Sequence, residues 1–134
     1  MFTSGDRQLM DRNSHPWIPE HRDTNWIERH QQLVNTTLQH LKDEKIVFIG
    51  DSLTEGWQWE HKSQNIWDKH YTPRHAYNYG ISADRTEHLL WRIENKEFDG
   101  LNPKVVVLMI GILINGLKIV LKHFFCLKGQ IICG

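Results

Sequence analysis

Between Asn25 and Lys42, apolar side chains fall at Trp26, Ile27, Leu33, Val34, Leu38 and Leu41, close to helical spacing with one buried stripe. Asn25, followed three residues later by Glu28, offers a cap for the start of this helix. Lys45 to Ile49 is a short β-rich stretch running into Gly50, the pattern of a buried strand that enters a tight turn. Residues 53 to 75 are rich in Trp and His without a clean period, and read as one or two short helices stopped by Pro73. A second strand is expected at Ala76 to Tyr79. Asp84 and Glu87 then form a capping-box pattern ahead of Leu89, Leu90 and Ile93, the inner face of another helix. After Pro103, Val105 to Ile110 is a strong buried strand. Strand, helix, strand, helix, strand predicts an α/β fold, a three-layer α/β/α sandwich whose parallel sheet is joined by right-handed crossovers.

A chain of 134 residues accommodates one domain of ordinary size. Its 16 basic and 16 acidic residues balance, so no global field steers it to nucleic acid or to an anionic membrane. The first sixteen residues carry Asp6, Arg7, Asp11 and Arg12 and no apolar run, which reads as no secretory signal and makes a cytoplasmic location the expectation. Cys126 and Cys133 match neither a disulfide framework nor a paired zinc set. The apolar stretch from Val105 to Leu117 is interrupted by Lys118 well short of the ~20 residues that a bilayer crossing needs, so no membrane span is expected. Character changes near Ile112. All 16 acidic residues lie at or before Asp99, whereas Lys118, Lys122 and Lys128 stand unopposed in the tail.

The chemically informative segment is Gly50-Asp51-Ser52, delivered at the tip of the first strand. A serine hydroxyl becomes a useful nucleophile when its geometry is fixed and a base takes its proton. A strand-to-helix turn does the fixing and aims backbone N–H groups at a developing oxyanion. Taken alone the motif is ordinary, because Ser caps helices and Gly-Asp is common turn chemistry. Other constellations carry less. His15, His21 and His30 with Asp23 match no common metal-ligand spacing and read as solvated surface; no metal or other cofactor is expected. Trp57, Trp59 and Trp67 are pocket candidates, although tryptophan is more often a core or interface residue.

Three blocks in order, IVFIGDSLTEGW (46–57), HAYNYGISADRTEHLLWRIEN (75–95) and NPKVVVLMIG (102–111), resemble the GDSL/SGNH hydrolases, most closely the catalytic subunits of platelet-activating factor acetylhydrolase Ib. The resemblance covers about residues 26 to 111. It implies Ser52 as nucleophile, with the Ser52 N–H as one oxyanion donor and the N–H of Ala83, where the family has glycine, as a second. Gly50, Asp51, Gly80 and Gly111 are the supporting motif residues. Alanine disfavours positive φ, so the Ala83 donor depends on the local backbone. The family's third donor is an asparagine, but its position here holds Leu113, with Asn115 two residues on. Losing one such donor typically costs about 100- to 1,000-fold in turnover.

The family also supplies a late Asp-x-x-His, in which His takes the serine proton and Asp holds its ring. No Asp in this sequence has His three residues later, and His123 is the only histidine after Gly111. The other eight (His15, His21, His30, His40, His61, His70, His75, His88) read as surface or structural residues, with His88 partly exposed beside Trp91 and Arg92.

The resemblance thus divides the chain into a polar extension (1–24), a partial hydrolase domain (25–111) and a divergent tail (112–134). The break at 112 reads as a frameshift, retained intron or alternative exon. A sheet truncated after its third strand, against about five in similar proteins, is expected to leave an edge uncovered unless Leu117 to Leu121 fills it. The implied activity is hydrolysis of a small acyl-ester substrate through an acyl-serine, impaired in this chain. The alternative is a non-catalytic partner of a full-length paralogue, within a homo- or heterodimer of family members.

Overall fold

The computed structural model describes residues 15–43, 45–59 and 61–111 and the strand segments 122–124, 126–127 and 130–131. Helices are α1 (Thr24–His40), α2 (Ser52–Glu55), α3 (His61–His70) and α4 (Thr86–Glu94). Strands are β1 (Ile46–Gly50), β2 (Ala76–Gly80), β3 (Val105–Met109), β4 (Lys122–Phe124), β5 (Cys126–Leu127) and β6 (Gln130–Ile131). A 3-10 turn at Gly56–Gln58 prolongs α2, and a second at Thr72–Arg74 follows α3.

Both expected helix caps differ from the observed ones. Asp23, not Asn25, caps α1: its carboxylate accepts the Trp26 N–H at 3.0 Å. At α4 the N-cap is Arg85, whose N–H is accepted by His88 Nδ1 at 3.0 Å, while Glu87 ion-pairs with Arg85 and Asp84 turns inward.

Strand order is β2-β1-β3-β4, with β1 parallel to both β2 and β3. Gly50 registers with Gly80 on one side and Met109 on the other, so three strand ends finish level. Strand β4 pairs antiparallel with β3, Val106 opposite Phe124. The edge of β3 that a three-strand reading leaves open therefore carries a fourth strand, and the sheet is mixed. A separate antiparallel pair is formed by β5 and β6. Leu117 to Leu121 lies outside the described residues.

Side chains alternate across the sheet and sort the helices into layers. Val47, Ile49 and Tyr79 face α1 and α4, forming a core with Trp26, Leu33, Ile81 and Leu89. Phe48, on the opposite face, meets Trp67 and Tyr71 at ring distances of 5.1 Å. Burial of each such side chain is worth about 1.5–3 kcal/mol.

Polar residues replace part of the expected apolar stripe. The inner line of α1 is Trp26, His30, Leu33 and Thr37, spaced by four, three and four, whereas Leu38 is 63% exposed. On α4, Leu89 is buried, but Ile93 is 36% exposed and Arg92 is enclosed. These polar groups are partnered, as burial requires. Arg92 bonds to Asp84, to Glu97 and to the Tyr79 carbonyl. His30 Nδ1 meets Glu97 Oε2 at 2.6 Å, and Thr37 meets the Tyr79 hydroxyl at 2.7 Å. Trp26 Nε1 donates to Asp84 at 2.6 Å.

Candidate active site

Ser52 occupies the first position of α2, directly beyond β1, and is exposed. Asp51 precedes it as N-cap, accepting the Leu53 N–H at 3.0 Å. Burial raises the Asp51 carboxyl above the usual carboxylate range, against the opposing effect of that bond. The first N–H groups of a helix have no intrahelical acceptor, which leaves the Ser52 N–H available to a ligand oxygen.

Two glycines allow α2 to sit this close to the sheet. A Cβ at Gly50 would lie 2.2 Å from the Met109 carbonyl oxygen and 2.2 Å from Thr54 Oγ1. One at Gly80 would lie 2.3 Å from the Glu55 nitrogen. Asn78, buried on β2, fixes the approach: its Nδ2 donates to the Thr54 carbonyl at 2.7 Å and its Oδ1 accepts the Gly80 N–H at 2.8 Å.

The loop after β2 carries Ala83 at φ 62°, the left-handed region that a glycine adopts freely. Residues on both sides of it are tied down. The Ile81 N–H bonds to the Gly50 carbonyl at 3.0 Å and the Asp84 N–H to the Ile81 carbonyl at 3.1 Å. Glu55, one turn along α2 from Ser52, accepts the Ser82 N–H at 2.6 Å. Arg22 donates to the Ser82 carbonyl at 2.8 Å. Neither Glu55 nor Arg22 stands out in the sequence, because nothing local marks a contact made across 27 or 60 residues.

Gly111, with φ 106°, follows β3 at the same end of the sheet. Leu113, Asn115 and the side chain of His123 lie outside the described residues. Among the described residues no side chain hydrogen-bonds to Ser52, and several histidines are engaged elsewhere. His30 pairs with Glu97, His40 packs at a tilt against Tyr77, and His21 meets the edge of Trp91. His88 is buried, not partly exposed as the sequence pattern implies, and its pKa is lowered to about 4 by burial, then by Arg85 and Arg22. His30 is likewise buried and not part of a solvated surface.

Of the three tryptophans, Trp67 is core, Trp57 is half-buried and Trp59 is 60% exposed. A cavity of about 340 Å³ lies beside β2, lined by Trp67, Asn78, Tyr77 and Arg29 among others. Among the described residues no three His, Cys, Asp or Glu side chains are grouped as a metal site. No helix among them is long and apolar enough to cross a membrane.

Residues 48–113 match the GDSL-like Lipase/Acylhydrolase family. The chain is 40% identical over 89 residues to platelet-activating factor acetylhydrolase IB subunit alpha1 of Rattus norvegicus, covering 66% of this chain and 36% of that protein. It is 38% identical over 89 residues to the IB subunit beta homolog of Drosophila melanogaster, covering 66% and 37%. Against subunit alpha2 of Rattus norvegicus the identity is 35% over the same length, covering 66% and 36%. The chain thus spans little more than a third of the length of these curated relatives. Through residues 48–113, with a serine at the tip of β1 and an α/β frame behind it, the chain is similar to the GDSL-like lipase/acylhydrolase family.

Proposed function

We infer that this chain carries the nucleophile and oxyanion side of a serine ester hydrolase site that acts on short acyl esters. Ser52 Oγ adds to the ester carbonyl as its proton passes to a base. Collapse of the adduct expels the alcohol and leaves an acyl-serine, which water then hydrolyses. The N–H groups of Ser52 and Ala83 receive the charge on the carbonyl oxygen, acting with full strength because they are already oriented. The observation that carries this reading is the backbone of Ala83. A non-glycine residue held at φ 62° costs roughly 1–2 kcal/mol, and here the bonds made by Ile81, Ser82 and Asp84 hold it in place at the position where the family has glycine.

Turnover is slow in this reading. No described histidine hydrogen-bonds Ser52, and general-base assistance typically contributes about 10²- to 10⁴-fold. Incubation of the folded chain with p-nitrophenyl acetate and with a fluorophosphonate probe, beside Ser52→Ala, tests the assignment. Weak hydrolysis and probe labelling that vanish in Ser52→Ala are expected; equal signals from both proteins would refute it.

A second reading is a non-catalytic partner of a family member, supported by the relatives' own names as subunits. Co-purification with a full-length homologue, combined with no Ser52-dependent labelling, would select this reading over the first.

A further inference from the structure

We propose that Arg22 is a positioning residue for the oxyanion site, acting through the peptide plane that joins Ser82 to Ala83; this rests on the reading of Ala83 as an oxyanion donor. A peptide unit is planar, and in its trans form the C=O and N–H point in opposite directions. Whatever holds the Ser82 oxygen therefore also sets the direction of the Ala83 N–H. Arg22 Nη1 holds that oxygen at 2.8 Å and lies 3.5 Å from Asp84 Oδ1, so the guanidinium bridges the residues on either side of Ala83.

The same bond has an electronic consequence. A charged donor on a carbonyl makes a stronger hydrogen bond than a neutral one, and hydrogen bonds in a chain polarise each other. The Ala83 N–H becomes a better donor because its own carbonyl partner is engaged by a cation. Glu55 completes the clamp from the other side by taking the Ser82 N–H at 2.6 Å, and Asp84 is anchored in turn by Arg92 at 2.8 Å. Glu55 belongs to the helix that begins with Ser52, which couples the loop to the nucleophile. A left-handed alanine needs this degree of restraint. Docking of the segment before α1 is a simpler job for Arg22, but the Glu20 N–H already bonds to the Glu87 carbonyl at 3.2 Å.

The sequence provides a clean test, because Ala76 and Ala83 are its only alanines. An amide spectrum of the full chain labelled with [15N]alanine contains two signals. Ala76 begins β2, at the opposite end from the loop, and serves as the internal control. In Arg22→Ala the Ala83 signal is expected to move by several linewidths while Ala76 stays in place, and Arg22→Lys, which keeps a charged donor, is expected to restore much of the original position. Phosphonylation of Ser52 with a fluorophosphonate is expected to shift the Ala83 amide proton downfield in the unmutated chain. The labelling rate should fall about 10- to 100-fold in Arg22→Ala.

An Ala83 signal unmoved by Arg22→Ala would overturn the proposal, and so would equal movement of both alanines with a lowered melting temperature, which marks a general structural role. If phosphonylation leaves Ala83 unshifted although Arg22→Ala moves it, the oxyanion reading itself fails and takes the proposal with it.

Discussion

Arg92 Nη1 donates to Asp84 Oδ2 at 2.8 Å, with both side chains fully enclosed. Asp84 is the residue after Ala83, so the conformation of the loop carrying Ala83 is continuous with a buried ionic cluster. Breaking such a pair from one side leaves an uncompensated charge in the interior. Arg92→Met strands Asp84 and Glu97 together and is expected to cost about 3–5 kcal/mol. Urea unfolding followed by tryptophan fluorescence measures it; a loss below about 1 kcal/mol would show that the cluster relaxes or takes up water.

The left-handed backbone at position 83 makes Ala83→Gly an informative change. Glycine removes the steric penalty of φ 62° but adds freedom to the unfolded chain. We expect a net gain of about 0.5–1 kcal/mol in stability, with Ser52 labelling retained because the N–H remains. A lower denaturation midpoint in Ala83→Gly would mean that the methyl group makes a favourable contact.

Gly80 tests how closely α2 must approach the sheet. A Cβ there would meet Glu55 nitrogen at 2.3 Å and Glu55 Cα at 2.7 Å, both rigid backbone atoms. Gly80→Ala must push the α2 turn outward, at about 1–3 kcal/mol of stability. Because Ser52 begins that turn, probe labelling should fall by at least about 10-fold even where the protein remains folded. Unchanged labelling in a folded Gly80→Ala protein would show that Ser52 does not depend on its seat against β2.

His88 sets a pH dependence with a definite sign. Its pKa is lowered to about 4 in the folded protein, against about 6.5 for an exposed imidazole. The unfolded chain therefore binds the extra proton first. The contribution is complete above about pH 6.5, shrinks as pH falls towards about 4, and changes no further below that. Its full size is of the order of 3 kcal/mol. Gln at this position can still accept the Arg85 N–H but does not titrate. The difference in unfolding free energy between the unmutated chain and His88→Gln, measured by urea titration at several pH values, should therefore change across this window. A pH-independent difference would exclude His88 as the source.

Much of the site can be read along the chain. Lys45 to Gly50 reads as a strand because it is a short β-rich stretch ended by a glycine, and that alone places Ser52 at a strand tip. The oxyanion role of Ala83, by contrast, is implied only by the family resemblance of the second block. Three parallel strands level at Gly50, Gly80 and Met109 are what such a pattern builds. The helix caps are not legible in the sequence, because several oxygen-bearing residues compete within one turn and backbone direction chooses between them. Asp84 is lost to capping because Arg92 and Trp26 claim its carboxylate.

Periodicity and turn chemistry are local, and they place β1, β2, β3, α1 and α4 by themselves, whereas the role of Ser52 is implied only by the resemblance of the three blocks. Tertiary structure alone decided that His30, Thr37, Arg92 and Glu97 would face inward and that Arg22 and Glu55 would grip the loop carrying Ala83. A charged side chain is stable in the interior only if a matching group arrives from elsewhere in the chain, and hydropathy at its own position carries no record of that arrival.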